Sequence, residues 1–289
     1  MAASGLQALK RRIRSVENTA QITRAMKLVA GAKLRRAQER AERARGYFDT
    51  IREVMARASA SASSTGGSPL FERRPVVTAA YVIVSSDRGL AGPFNANVIR
   101  LASETMRARP GEAVVFAVGR KARDAYRRRR RPILEEFVGL GDDPHYYQAK
   151  AIADAIIARY MMGEVDAVSL VYTHFINAMV QRPTVTELLP VVREGLAVHD
   201  LSGQANYLFE PDAEAVLADL VPRYVEAQVY GALLESKASE HGARMTAMDA
   251  ATKNSEDLLR TMTLTRNRLR QAAITREIAE LVGGAAALG

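Results

Sequence analysis

The distribution of proline constrains the fold of this chain more than any other sequence feature. All ten prolines lie between Pro69 and Pro222, so residues 1–68 and 223–289 contain none. A proline inside a helix costs roughly 3 kcal/mol or more. The two ends of the chain can therefore form long, uninterrupted helices on either side of a proline-containing middle.

Both proline-free arms carry apolar or small residues at alternating spacings of three and four, the pattern of a helix packed against a partner helix. These positions are Leu9, Ile13, Val16, Ala20 and Thr23 in the first arm, and Ala238, His241, Met245, Met248, Thr252, Ser255, Leu259 and Met262 in the second. We therefore expect a long antiparallel coiled coil formed by N- and C-terminal helices at residues 1–58 and 211–288. The alternative is that Gly231, Gly242 or residues 253–255 divide the second arm into the shorter helices of a bundle.

The middle of the chain, residues 70–205, alternates between apolar strand-like runs and amphipathic helical segments. Strands are predicted at residues 76–84, 114–118, 167–175 and 184–189, and helices at 95–107, capped by Asn95, 120–130 and 146–162. Such alternation is typical of an α/β domain with a mostly parallel sheet. The predicted fold class is thus α/β, with the coiled coil appended to this domain.

The positive charge of the chain is concentrated in the first arm. Residues 1–57 hold 14 Lys and Arg against 5 Asp and Glu, and this surplus of 9 equals the net charge of the whole chain. At 100° per residue, Ile22, Met26 and Val29 point nearly opposite to the Leu9–Ile13–Val16 stripe. The surplus indicates that this arm meets an acidic surface. A helix that is apolar on two sides is usually enclosed, so we expect the coiled-coil partner on one side and a second partner on the other.

The sequence contains no strong motif for catalysis, nucleotide binding or metal binding. The turn from Ser85 to Pro93 has no phosphate-binding motif, so it is interpreted as a structural turn rather than a nucleotide site. The four histidines lack zinc-ligand spacing, and no catalytic residue, metal site or cofactor is predicted. The chain has no cysteine and no apolar run of 18 residues. The run Arg127–Arg131 is interpreted as a solvated helix end, with nucleic-acid binding as the alternative.

Five separated motifs, in order along the chain, resemble the gamma subunit of rotary F-type ATP synthases. They are Ile22–Ala30, Asp87–Gly92, Tyr207–Pro211, Ala243–Met248 and Arg270–Ile278. The resemblance implies a central-stalk rotor subunit of a proton-translocating ATP synthase. It would transmit torque between the membrane c-ring and the catalytic sites of the alpha-beta hexamer, with one copy per complex and the epsilon subunit as a further partner.

The same resemblance implies roles for particular residues. Met26, Lys27, Arg270 and Gln271 match positions that contact the beta subunits, while Tyr207, Phe209 and Glu210 match the foot that meets the c-ring. Catalysis would lie in the beta subunits, so the chain itself is expected not to be an enzyme. Its expected location is peripheral, on the cytoplasmic face of the bacterial plasma membrane, touching the membrane only through the c-ring.

Two other functions remain open at this point. A basic coiled coil could bind nucleic acid through its charged arm, and an α/β domain could belong to a nucleotide-using enzyme.

Overall fold

The computed structural model describes residues 2–61, 68–192, 210 and 212–286. In chain order its helices and strands are α1 (Ala2–Ser61), a 3-10 turn (Pro69–Phe71), β1 (Thr78–Val84), α2 (Phe94–Ala108), β2 (Glu112–Val118), α3 (Arg120–Arg128), β3 (Ile133–Phe137), α4 (Tyr146–Met161), β4 (Ala167–Phe175), β5 (Gln181–Leu189) and α5 (Ala213–Ala286). The chain forms two compact units, Ala30–Arg244 and Met1–Val29 with Met245–Gly289.

The unit Ala30–Arg244 is built on a five-stranded sheet of order β3-β2-β1-β4-β5. The first four strands in this order are parallel, and β5 runs antiparallel to β4. The predicted mostly parallel sheet is therefore confirmed. The antiparallel edge follows from the short Ile176–Val180 connection, which is long enough for a hairpin but too short for a crossover helix.

Both faces of the sheet are covered. On β1, Tyr81 and Ile83 join the core that α2 and α3 form on one face. Val82 and Val84 join the larger core on the other face, with α4, residues 55–58 of α1 and residues 217–233 of α5. Burial on both faces explains why β1 and β2 are continuous apolar runs with no alternation.

Two predicted local features are wrong, and one strand was not predicted. Asn95 does not cap α2; the cap position is Pro93, and the Asn95 side chain instead accepts a 3.0 Å hydrogen bond from the backbone of Ser86. Helix α3 ends at Arg128 rather than at residue 130, because Arg130 takes a positive φ of 53° and so leaves the helix two residues before Pro132. Strand β3 was not predicted, since an edge strand of sequence ILEEF, half-buried throughout, lacks an apolar run.

The long helices are confirmed. Helix α5 runs through Gly231, Gly242 and residues 253–255 without a break, so the bundle alternative is wrong. Gly242 is also a packing position, because a Cβ atom there would lie 3.2 Å from Gln181 Nε2 and 3.4 Å from the Ala178 carbonyl oxygen. The turn between β4 and β5 thus packs closely against α5.

Candidate functional site

The unit formed by residues 2–29 of α1 and 245–286 of α5 is an antiparallel helix pair. Thr23 contacts Thr252 and Lys27 contacts Asp249, while Arg24 pairs with Glu256 further along α5. The predicted stripe faces inward: the side chains buried between the helices are Ile13, Ala20, Thr23, Met248, Thr252 and Met262. This confirms the coiled coil predicted from the 3-4 spacing.

Two apolar stripes of this unit are exposed. On α1, the outer α1 stripe consists of Ile22, Met26 and Val29, and the side chains of Ile22 and Val29 are 60% and 54% exposed. On α5, near its end and past the start of α1, the outer α5 stripe consists of Ile274, Ile278 and Leu281, which are 49%, 55% and 73% exposed. Both stripes follow helical spacing, so each presents one continuous apolar face. Apolar faces of this kind mark a surface that another protein covers.

Met26 belongs to the outer α1 stripe, and Lys27 is the next residue along the helix. Both are half-buried. The Lys27 ammonium donates a 2.6 Å hydrogen bond to the Asp249 carboxylate, and this bond, together with one from Lys253, lowers the pKa of Asp249. The Lys27 charge is thus already paired within the chain, while 42% of its side chain stays accessible to a partner.

Arg270 and Gln271 lie on the part of α5 that leads into the outer α5 stripe. Both are exposed. With Thr23 opposite Thr252, continuing the antiparallel register brings α1 to its first residues at about position 270. Beyond that point the described side chains of α5 are all exposed, except for the half-buried Ala273.

The turn after β1 is held by its own polar side chains. The two carboxylate oxygens of Asp87 accept hydrogen bonds from the backbone N–H groups of Arg120 and Gly139, both at 3.0 Å. Ser85 accepts a 2.8 Å bond from the Ala122 N–H. These groups join the loops after three neighbouring strands, which is the structural role expected for this turn.

The foot predicted to meet the c-ring falls mostly outside the described residues. Tyr207 and Phe209 lie outside them, and Glu210 is exposed just before α5 begins. In the described part of the chain no group of three acidic or histidine side chains could hold a metal ion. None of the described helices is apolar enough over 18 residues to cross a membrane.

Sequence reasoning did not identify the acidic partners of the first arm. Asp249 and Glu256 bind Lys27 and Arg24 across the helix pair. The sequence does contain a signal for these ion pairs. Asp249 lies three residues before Thr252 and Glu256 four residues after it, beside the predicted inner stripe, where ion pairs form between coiled-coil helices.

The chain matches a known protein family along almost its entire length. A family model described as ATP synthase matches residues 5–288. The ATP synthase gamma chain of Desulforamulus reducens is 52% identical over 280 residues, covering 97% of this chain and 98% of that protein. The gamma chain of Pelotomaculum thermopropionicum is 49% identical over 283 residues, covering 98% and 99%.

Solved structures give the same picture. A central stalk and c-ring structure of the Tetrahymena thermophila mitochondrial ATP synthase is similar with a TM-score of 0.56 and 26% identity, over 80% of this chain and 99% of that one. The fold is also shared with a chain of the Euglena gracilis mitochondrial enzyme, at a TM-score of 0.72 and 19% identity, over 99% of this chain and 95% of that one. A paired-helix unit with exposed apolar stripes, an α/β unit and these identities together establish that the chain belongs to the gamma chain family of ATP synthases.

Proposed function

We propose that this chain is the central-stalk rotor subunit of a proton-translocating ATP synthase, transmitting torque between the membrane c-ring and the alpha-beta hexamer. The observation that carries the proposal is the two outer stripes, one on the helix pair and one on α5 beyond it, which the chain alone exposes to water. At about 25 cal/mol per Å² of apolar surface, covering such stripes is strongly favourable. A collar of alpha and beta subunits around the pair provides that cover.

As a member of its family, the chain is a non-catalytic stalk subunit, and catalysis lies in the beta subunits. The prediction that it is not an enzyme is therefore confirmed. The nucleic-acid alternative has no support among the relatives, all of those cited being ATP synthase subunits.

The contacts proposed in this arrangement come from the family resemblance. Met26 and Lys27 on α1 and Arg270 and Gln271 on α5 would face the beta subunits. Tyr207, Phe209 and Glu210 would meet the c-ring, with the epsilon subunit beside the α/β unit. One copy per complex would then sit at the cytoplasmic face of the bacterial plasma membrane as a peripheral subunit.

The helix pair would act as an asymmetric shaft. Its sides differ, since one carries Ile22 and Val29 while another carries the Lys27–Asp249 ion pair. Three equivalent catalytic subunits would therefore each touch a different side at any moment. A partner that binds one conformation of a subunit better than another shifts that subunit toward it, so rotation would drive the three sites through their states in turn.

Single-molecule rotation tests this function. The chain contains no cysteine, so a Met162→Cys substitution at a side chain that is 72% exposed gives one attachment point for a bead. We expect the labelled chain to assemble with its alpha and beta subunits and the bead to rotate on addition of ATP. Two results would contradict the proposal. In the first, the assembled complex hydrolyses ATP while the bead stays stationary; in the second, the wild-type chain fails to assemble.

A further inference from the structure

The run of five arginines at the end of α3 is not explained by the stalk function. All five side chains, from Arg127 to Arg131, are exposed. Two of them are engaged: Arg127 makes two 2.9 Å hydrogen bonds to the Glu136 carboxylate, and Arg129 lies over the Tyr126 ring. Among the described residues, the side chains of Arg128, Arg130 and Arg131 make no hydrogen bond or ion pair. We call these three residues the arginine turn.

The backbone holds the arginine turn in one fixed conformation. Arg130 adopts a φ of 53°, a left-handed conformation that residues other than glycine seldom take. Its N–H donates to the Arg127 carbonyl at 3.0 Å, and the Arg131 N–H donates to the Tyr126 carbonyl at 3.1 Å. Three exposed arginines thus project from one short, ordered turn of the backbone.

The arginine turn lies beside the N-terminal ends of the parallel strands, because β3 starts at Ile133 directly after it. We refer to this end of the sheet as the edge. The end of β5 lies at the same edge, since Leu189 pairs with Val168 at the start of β4. The strand order places β3 and β5 four positions apart, or roughly 19 Å at about 4.8 Å per strand.

Helix α5 also starts at this edge. Further along this helix, Ser236 and Ser239 bind the backbone of Thr173 near the end of β4. From Ser236 back to Asp212 is roughly 36 Å at ~1.5 Å per residue, longer than the strands themselves. Glu210, just before α5, therefore shares the edge with the arginine turn.

Several carboxylates at this edge are already engaged. Glu187 binds Arg109, Glu164 binds Arg159, and Asp166 accepts backbone hydrogen bonds from Val77 and Thr78. Among the described residues, three exposed carboxylates without a basic partner also lie at this edge; they are Glu112, Glu210 and Asp212, of which Asp212 accepts a hydrogen bond from the Ala215 N–H. The edge also exposes Val77 at 68% and Met162 at 72%. Unpaired arginines beside exposed apolar side chains are the composition of a membrane-facing surface.

We propose that the arginine turn binds the anionic phospholipid headgroups of the membrane that surrounds the c-ring. The inference rests on the proposed function, which puts the Glu210 end of this unit at the c-ring. Electrostatic attraction of one Arg to an anionic bilayer corresponds to roughly a fivefold gain in binding, so three correspond to about a hundredfold.

The geometry favours lipid over other polyanions. Headgroups form a continuous negative sheet, so the attraction is equal at every rotary angle and does not oppose rotation, unlike a fixed acidic protein loop. Single-stranded nucleic acid binds basic surfaces through exposed aromatic rings, but Tyr126, the aromatic residue next to the turn, is only 1% exposed.

Vesicle flotation of the chain assembled with its alpha and beta subunits tests the proposal, because assembly encloses the basic first arm. The variant replaces all three residues, Arg128→Gln, Arg130→Gln and Arg131→Gln. We expect the wild-type complex to bind vesicles of equal parts phosphatidylglycerol and phosphatidylcholine, and the variant to bind at least about tenfold more weakly. Binding should be lost at high salt and absent on pure phosphatidylcholine.

A matched control removes the same charge at the opposite edge of the sheet. Arg88→Gln, Arg120→Gln and Lys121→Gln replace three exposed cations there, and this complex should bind like wild type. Any of three results would overturn the proposal. The arginine-turn variant could bind vesicles as well as wild type, the control could lose as much binding as that variant, or the complex could bind a DNA duplex in place of vesicles. Assembly and ATP hydrolysis of the same samples report on the stalk function separately.

Discussion

The hydroxyl groups of Thr23 and Thr252, 229 positions apart in sequence, lie 2.8 Å from each other with Thr252 as the donor. Both side chains are buried between α1 and α5. The Thr23 hydroxyl in turn donates a hydrogen bond to the Ala20 carbonyl oxygen at 3.1 Å. A buried polar pair of this kind adds little stability but disfavours a slipped register, which would bury hydroxyl groups against apolar neighbours.

A double-mutant cycle on this pair should separate stability from register. Thr252→Val keeps the side-chain shape but removes the donor, so we expect the free energy of unfolding to fall by about 1 kcal/mol. The double variant Thr23→Val with Thr252→Val should recover part of that loss, because no buried hydroxyl group loses its partner. Denaturant unfolding of the four proteins measures the coupling. Strictly additive effects would show that the two hydroxyl groups do not interact.

This pair also shows what the sequence could predict. Thr23 and Thr252 were both placed on inner stripes, because a buried helical face repeats every three to four residues. Their pairing was not predicted, because register depends on contacts between distant segments such as Lys27–Asp249. Strand β3 was missed for a similar reason. It is an edge strand whose two charged residues interrupt the apolar pattern typical of a buried strand. The beta-subunit and c-ring contacts came from family resemblance alone, and they stay predictions.

A second prediction concerns His241, which is 1% exposed on α5. Burial lowers the pKa of His241 to about 4, despite the opposing influence of Glu240 and Asp142. Arg244 lies 3.5 Å from its Nδ1 atom and Asp142 lies 3.8 Å from its Nε2 atom. Among the neighbouring charges, Lys237 also disfavours protonation. The ring is therefore neutral in the folded protein at neutral pH.

The sign of the pH effect follows from proton binding. Between pH 6.5 and about 4 the unfolded chain binds a proton at this histidine that the folded chain does not, so stability falls as the pH falls. At pH 5 the loss should be about 2 kcal/mol relative to pH 7.5. His241→Gln should be less sensitive to acid by that amount, measured by denaturant unfolding at both pH values. His174→Gln, at an exposed histidine, is the control, and it should behave like wild type. If His241→Gln is as sensitive to acid as wild type, then His241 is not the cause of the loss of stability at low pH.

A third prediction concerns the foot. Replacing Tyr207, Phe209 and Glu210 together with alanine should weaken proton-driven ATP synthesis in membranes, because these side chains would connect the rotor to the c-ring. ATP hydrolysis by the detached alpha-beta-gamma complex should be nearly unchanged. Both activities are measured on the same preparation. An equal loss of the two would show that the foot acts on catalysis and not on coupling.

The last prediction concerns the outer α1 stripe, where Met26 lies half-buried between the exposed Ile22 and Val29. Met26→Lys places a long cation on this apolar stripe, within reach of a beta-subunit carboxylate in only some rotary positions. Since a single exposed ion pair contributes only about 0–1 kcal/mol, assembly should be retained. A contact that forms and breaks once per step nevertheless raises the barrier to rotation. We therefore expect lower coupling efficiency and a steeper temperature dependence of turnover, measured as proton pumping per ATP and as an Arrhenius slope.

Met26→Leu keeps the stripe apolar and should match wild type in both. If the lysine variant also matches wild type, then this face of α1 does not meet the beta subunits, and the outer stripe must be covered by a different partner.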